Sequence, residues 1–298
     1  MNTITSTRHH TLTPSTAPTN NPLPTPFTVC ILGASTGIGE HIAYSYAQAG
    51  ATGLILASRS STDLSLVAQK ARSLYPPPPH PKPHIAIVPC DISSENDIRD
   101  LGLFIRNTFP RLDTCVVNAG YAGPVTLEVT EGDPEWFRRN FDVNVLGAYY
   151  CARYLVPLLV GGEGAGPGAF IQIGSLAAGL VEGPIANTGY CVSKFAQSRL
   201  VEMVGRQFGG RGVVAVVVHP GAVATRMAAG NTPEVFLEYL VDSVDLCGGF
   251  CVWLSRNIKD LKWLNGRFLD ARWDVNELLE RKDDIVEKDL LKWALKTS

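Results

Sequence analysis

Residues 28–50 read TVCILGASTGIGEHIAYSYAQAG, and the fold follows from this stretch. Thr28 to Leu32 is an apolar run of strand length, Gly33 to Gly39 is a glycine-rich turn, and the remainder is helix-like and ends near Gly50. A strand, a tight turn and a helix in that order make a nucleotide site. Glycines let backbone amides approach a diphosphate, which then lies at the positive end of the helix dipole. The spacing is Gly33-x-x-x-Gly37-x-Gly39, with Ser35, Thr36 and Ile38 between the glycines. No Gly-Lys-Ser/Thr follows, which removes the P-loop of kinases and ATPases.

Outward from this unit, short apolar runs alternate with helical stretches. Candidate strands lie at Thr28 to Leu32, Gly53 to Ala57, Ile85 to Val88, Thr114 to Asn118, Ala169 to Gly174, Val213 to His219 and Gly266 to Leu269. The segments between them are long enough for right-handed crossover helices, the longest from about Pro134 to Leu159 and from Asn187 to Phe208. The expected fold is α/β: one doubly wound, seven-stranded parallel sheet with helices on both faces, spanning residues 27–274. Residues 1–26 are rich in Thr, Pro, Asn and Ser and offer too little apolar surface to offset ordering entropy, so they are expected to form a disordered tail. PPPPHPKP, Pro76 to Pro83, predicts a stiff polyproline excursion, and GGEGAGPG, Gly161 to Gly168, a mobile turn. Residues 275–298 carry an amphipathic helical pattern that would dock on its own domain or on another subunit.

Composition narrows the function classes. With 298 residues, 45% apolar and 18% charged, the chain can bury a sizeable core. A net charge of −2 argues against a nucleic-acid partner, whose affinity rests on phosphate neutralisation. The longest apolar runs, such as Val213 to Val218, fall far short of the roughly 20 residues a membrane span demands. Seven cysteines, an odd number without zinc-ligand pairing, fit reduced and buried thiols in a cytoplasmic protein.

The second strand ends in Ala57-Ser58-Arg59, where a dinucleotide site places either an acid for the adenosine ribose or a basic group for a 2′-phosphate. Ser58 can hydrogen-bond to a phosphate and Arg59 can pair with it bidentately, so NADP(H) is favoured over NAD(H). Tyr190 and Lys194, in YCVSK, stand one helical turn apart and share a face. An ammonium beside a phenol favours phenolate, which would lower the tyrosine pKa from about 10 and suit it to proton transfer. Ser175 ends the strand AFIQIGS at the carboxyl rim of the sheet, where its hydroxyl could hold a carbonyl oxygen or cap a turn. Asn144 sits mid-helix, against its propensity, which calls for another demand on that position. Cys191 adjoins Tyr190 but points about 100° away on a helix and is read as packing.

Together these residues resemble the active site of the short-chain dehydrogenase/reductase family, over Phe27 to about Asp274, with a Rossmann-type domain. The resemblance includes Asn118, Ala119 and Gly120 after the fourth strand and HPGAVAT, His219 to Thr225, after the sixth. It implies Tyr190 as proton donor or acceptor, Ser175 as the group orienting the carbonyl, Lys194 as ribose ligand and modulator of Tyr190, and Asn144 as the anchor of a relay water. It also implies that Asp91 and Ile92 contact the adenine, that Asn118 to Gly120 support the sheet and cofactor, and that Pro220, Gly221 and Val223 to Thr225 flank the nicotinamide. Two departures stand out: Val117 replaces the first Asn of the usual NNAG, and the interval from Ser175 to Tyr190 is slightly long.

The implied activity is NADPH-dependent reduction of a ketone to a secondary alcohol. NADP-linked alcohol oxidation and a non-catalytic NADP(H) sensor are the alternatives. Residues 227–243 correspond to the family's variable lid, where Val235, Phe236, Leu237, Tyr239 and Leu240 would suit a hydrophobic ketone or pack onto the core. Trp263 to Val275 resembles fungal members, often linked to secondary metabolism, and family analogy implies a homodimer or homotetramer.

Overall fold

A computed structural model describes residues 4–78, 80–161, 167–231 and 234–295. Seven strands are found among them: β1 Thr28–Leu32, β2 Gly53–Ser58, β3 His84–Pro89, β4 Thr114–Val117, β5 Gly168–Ile173, β6 Val213–His219 and β7 Arg267–Asp270. They form one sheet in the order β3-β2-β1-β4-β5-β6-β7, and every pairing is parallel. The helices are α1 Gly37–Gln48, α2 Ser61–Leu74, α3 Glu95–Thr108, α4 Pro134–Phe141, α5 Gly147–Leu159, α6 Thr188–Phe208, α7 Arg226–Asn231, α8 Leu246–Arg256, α9 Val275–Glu280 and α10 Lys282–Glu287.

Every residue of β1, β4, β5 and β6 is buried. A parallel sheet tolerates this because both faces are covered. α1, α2 and α8 pack together on one face, and α3, α5 and α6 lie over the other. Two apolar cores result, one containing Ile31, Tyr46 and Phe250, the other Leu32, Ile98 and Phe170. Chain order reverses between β1 and β4, so the loops after these two strands diverge and open a crevice at the carboxyl rim.

Two expectations are corrected. Residues 4–26 are not a disordered tail but a strap laid along the domain. Leu23 is buried and its N–H bonds to Ala49 O at 2.9 Å. His9 N–H bonds to Arg272 O at 2.7 Å, and Arg8 forms a β-bridge with Trp273. The segment lacks an apolar core of its own; a few of its apolar side chains, such as Leu23 and Ile4, join the domain's core, and most of its remaining contacts come from polar groups that find partners on the domain. A glycine in α8 makes room for this: a Cβ on Gly249 would lie 2.5 Å from Thr16 O, while one on its neighbour Gly248 would lie 2.9 Å from His41 O in α1.

The C-terminal pattern yields two short helices rather than one amphipathic helix, and they dock on their own domain. Val275, Leu278 and Ile285 are buried. Beyond α10 the chain pairs with the exposed edge of β7 instead of continuing helical: Phe268 N–H bonds to Leu291 O at 2.8 Å, with Leu291 at φ 67°. That pairing covers an otherwise open edge strand. Most of the turn expected at Gly161 to Gly168 and one proline of the Pro76 to Pro83 segment lie outside the described residues, as do residues 232 and 233 of the expected lid.

Candidate active site

The glycine turn is tightly built. Gly33 and Gly37 have φ of 80° and 58°, a region that disfavours side chains. A Cβ on Gly39 would stand 2.0 Å from Gly33 O and 2.5 Å from Asn118 Nδ2, and one on Gly33 would stand 2.6 Å from Ala119 N. Asn118 Nδ2 donates to Gly33 O at 3.0 Å, tying the loop after β4 to the turn after β1 across the crevice. Ser35, Thr36 and Ile38 line the same partly open turn. The result is a backbone cradle at the start of α1 that admits no extra atom on the protein side.

At the end of β2, Ser58 Oγ is buried without a hydrogen-bond partner, and Arg59 beside it is exposed. An unpaired buried hydroxyl is costly unless something else satisfies it. Together with the glycine cradle, it fits a dinucleotide whose adenosine half lies over β2. Asp91 forms a turn as well as bordering this region: its Oδ1 accepts from Ser93 N at 2.9 Å and from Ser93 Oγ at 2.7 Å. Ile92 is buried, and Gly147 at the start of α5 makes space for it.

Ser175, Tyr190 and Lys194 come together at the carboxyl ends of β5 and β6. Ser175 Oγ accepts from Ala177 N at 3.1 Å, capping a 3₁₀ turn over Leu176–Gly179, and its hydroxyl lies close enough to the Tyr190 phenol to favour the ionised form. Lys194 Nζ lies 5.8 Å from the Tyr190 ring centroid and donates to Ile173 O at 3.1 Å and to Gln197 Oε1 at 3.0 Å. Burial pushes the Lys194 ammonium down to about 8. Burial also pushes the Tyr190 phenol above its ordinary value, against the smaller opposite effect of the adjacent Ser175 hydroxyl. The expectation of a phenol acidified below 10 is therefore corrected: desolvation outweighs the lowering effect of the Ser175 hydroxyl.

Asn144 lies in a π-helical turn, Asp142–Leu146, between α4 and α5. Its side chain is fully bonded to protein: Oδ1 accepts from Tyr121 N at 2.8 Å, and Nδ2 donates to Tyr121 O at 2.8 Å and to Ser193 Oγ at 2.9 Å. Its backbone carbonyl accepts from Gln197 Nε2 at 2.8 Å. This polar demand explains the asparagine in a helix, and Gln197 occupies the backbone carbonyl of the residue expected to anchor a relay water. Sequence reading missed Gln197, although the signal was there: a polar residue three positions past Lys194 on a buried helical face.

Gly120 lies between Asn144 and Lys194, since a Cβ there would be 3.4 Å from Asn144 Oδ1 and 3.7 Å from Lys194 Nζ. On the far side, Pro220, Gly221 and Val223 are buried, and Thr225 caps α7 by accepting from Ala228 N at 3.1 Å. Asp242 braces this turn by accepting from Ala222 N at 2.5 Å. Of the apolar lid residues, Leu237 and Tyr239 are exposed. A cavity of about 430 Å³ lined by Val125, Thr126, Leu127, Glu131, Trp136 and Pro184 lies nearby, joined to the start of α6 where Thr188 N–H bonds to Thr126 O at 3.0 Å. Cys191 is buried, and burial pushes its thiol up, as suits packing rather than nucleophilic attack. All seven cysteines are free and buried.

The family model described as short chain dehydrogenase matches residues 27–235. The short chain dehydrogenase pgmD of Aspergillus terreus is 35% identical over 296 residues, covering 98% of this chain and 94% of its own. The short chain dehydrogenase citE of Monascus ruber is 37% identical over 269 residues, covering 90% and 88%. Among solved structures, a short chain dehydrogenase of Escherichia coli CFT073 complexed with NADPH superposes with a TM-score of 0.71 at 26% identity, over 85% of this chain and 98% of that one.

Proposed function

The chain belongs to the short-chain dehydrogenase/reductase family, and from that premise we propose that it is an NADPH-dependent carbonyl reductase making a secondary alcohol from a hydrophobic ketone. The observation that carries the reading is the meeting of Ser175, Tyr190 and Lys194 at the sheet rim beside the glycine cradle. When bound, NADPH supplies the hydride that the carbonyl carbon receives. Gly33, Gly37 and Gly39 would hold its diphosphate, Ser58 and Arg59 its 2′-phosphate, and Lys194 its ribose. Asp91 and Ile92 would border the adenine, and Pro220, Gly221, Val223 and Thr225 the nicotinamide.

The protein's own part is orientation and proton supply. Ser175 holds the carbonyl oxygen against the Tyr190 hydroxyl, and Tyr190 donates its proton as charge develops there. The raised phenol value suits this direction, because reduction needs the protonated form at neutral pH. The pairing of a buried Ser58 hydroxyl with Arg59 supports the phosphorylated cofactor, as does the likeness to structures complexed with NADP and NADPH. The apolar cavity under Pro184 and the lid face at Leu237 and Tyr239 support a hydrophobic substrate, and the fungal relatives support a place in secondary metabolism. Exposed apolar side chains on α3, the π-turn and α5, among them Phe104, Leu146 and Tyr149, support assembly as a homodimer or homotetramer. Seven buried free thiols support a cytoplasmic setting, and no helix among the described residues is long and apolar enough to cross a membrane.

The test is NADPH consumption with a panel of hydrophobic ketones. Tyr190→Phe should lower kcat roughly a hundred- to ten-thousandfold while leaving NADPH binding intact. Arg59→Ala should weaken NADPH binding and leave NADH binding little changed. A wild type inert toward the whole panel removes the reductase reading, and equal loss of both cofactors in Arg59→Ala removes the assignment of the 2′-phosphate.

A further inference from the structure

Gln197 lies one turn beyond Lys194 on α6 and is almost fully buried. A buried primary amide is expensive unless its donors and acceptor are used. Here Nε2 donates to the backbone carbonyl of Asn144 at 2.8 Å, and Oε1 accepts from Lys194 Nζ at 3.0 Å. A carbonyl only accepts and an ammonium only donates, so the amide fits one way round. Gln197 is thus a directed bridge from the π-turn, across the helix interface, to the lysine beside Tyr190.

The bridge has a consequence for Lys194. Two of its three N–H groups are fixed, on Ile173 O and on Gln197 Oε1. The third is left for the side on which Gly120 and the Tyr190 ring lie. Family resemblance implies that Asn144 anchors a relay water; in this chain the Gln197 amide takes up the Asn144 backbone carbonyl. We propose that Gln197 is a positioning residue for the Tyr190–Lys194 pair: its side chain fixes Lys194 Nζ from the Asn144 carbonyl, in the place of a bridging water.

The groups facing Lys194 are Tyr190 and Gln197 from α6, the Ile173 carbonyl from β5 and Gly120 from the loop after β4. Of these only Tyr190 titrates, and no charged neighbour opposes or adds to the effect of burial. Hydrogen bonds to the charged form favour it. The amide oxygen therefore works against the burial that pushes Lys194 down to about 8, and its loss should push the lysine further down.

This inference rests on the reductase reading for the purpose of the pair, but its primary test needs neither cofactor nor ketone. In protein labelled with ¹³C at the lysine ε-carbon, the Lys194 signal is identified by its absence in Lys194→Arg and titrated against pH. Gln197→Leu should lower the Lys194 transition by about one unit, tenfold in its ionisation constant. Gln197→Ala removes the amide but leaves room and polar partners for a water, so its titration should stay closer to wild type. Thermal stability should rank the other way, Ala below Leu, because Ala leaves the larger void. In NADPH-linked turnover, kcat should follow the titration order while KM for NADPH moves less. An unchanged Lys194 titration in Gln197→Leu overturns the proposal. So does a larger shift in Ala than in Leu, which marks plain packing. Gln197→Met, with the same expectation, replaces Leu should that variant not fold. The expected titrations in a protein inert toward ketones would instead count against the reductase reading alone.

Discussion

His219 ends β6, and its Nδ1 accepts from Leu176 N at 3.3 Å, which leaves the ring proton on Nε2 and helps fix the turn that begins at Ser175. Burial pushes this imidazole down to about 4; Asp270 pulls it up, and Arg272 adds to the depression. Unfolded, the ring protonates near pH 6.5. Between pH 6.5 and 4 the unfolded chain therefore binds the extra proton, and stability is full above this window and falls as the pH drops through it. The loss amounts to about 3 kcal/mol at most. Burial alone would raise the neighbouring Asp270 carboxyl, but the Arg272 hydrogen bonds hold it below its ordinary value, so it adds a separate loss at lower pH. We expect His219→Gln, whose amide oxygen still accepts from Leu176, to flatten urea-unfolding stability between pH 6.5 and 4.5. A slope equal to that of wild type would assign the acid sensitivity elsewhere. At this scale the sequence named three side chains that the fold brings together, Ser175, Tyr190 and Lys194, because the proposed chemistry asks for particular functional groups at a fixed spacing. It could not give the sign of the Tyr190 shift, which depends on how much protein surrounds the ring.

Among the elements, the turn from β1 into α1 is the most constrained. The contact facing Gly39 is backbone, Gly33 O, so a side chain there cannot be relieved by turning a rotamer. Gly39→Ala must open the turn, at an overpacking cost of about 1–3 kcal/mol, and the amides proposed to face a diphosphate move with it. NADPH affinity, read by fluorescence titration, should fall by at least about tenfold; an unchanged Kd would show that the turn is not where the cofactor lies. The strands were legible to within a residue or two because most are short apolar runs buried on both faces, as in Val213–His219. The same logic located Pro134 to Leu159 as one helical stretch. It could not reveal the π-turn at Asp142–Leu146, whose extra residue turns Asn144 toward Tyr121 and Ser193. Nor did it foresee the break between α9 and α10, since an amphipathic pattern reports which face is apolar and not whether the edge of β7 will claim the chain that follows.

For the whole molecule, the N-terminal strap is the part that composition misjudged, because the test for disorder counts apolar surface and this segment is ordered largely by polar partners. Ser6 bonds to Glu277, His9 to Asp274, and His10 to Asp242 at 2.5 Å. Asp242 is buried and also holds Ala222 N–H, so the strap reaches the turn proposed to flank the nicotinamide through a single carboxylate. Ser243 N–H, bonded to His10 O at 2.7 Å, ties the end of the lid to the same strand of chain. Asp242 is buried but the His10 side chain is more than half exposed, so this contact is worth less than the roughly 3–5 kcal/mol that breaking a fully buried pair costs. Arg272, 3.9 Å from Asp242, retains part of the compensation. Deleting residues 1–11 should therefore cost about 2 kcal/mol, a fall of about 4–8 °C in Tm, and should weaken NADPH binding, because Ala222 and Gly221 lose the bracing of a fixed Asp242. His10→Ala should reproduce part of both effects, whereas Ser6→Ala, remote from Asp242, should lower Tm without touching cofactor affinity. If the deletion lowers Tm but leaves the NADPH Kd as it was, the strap stabilises the domain without bracing the turn, and the link through Asp242 is refuted.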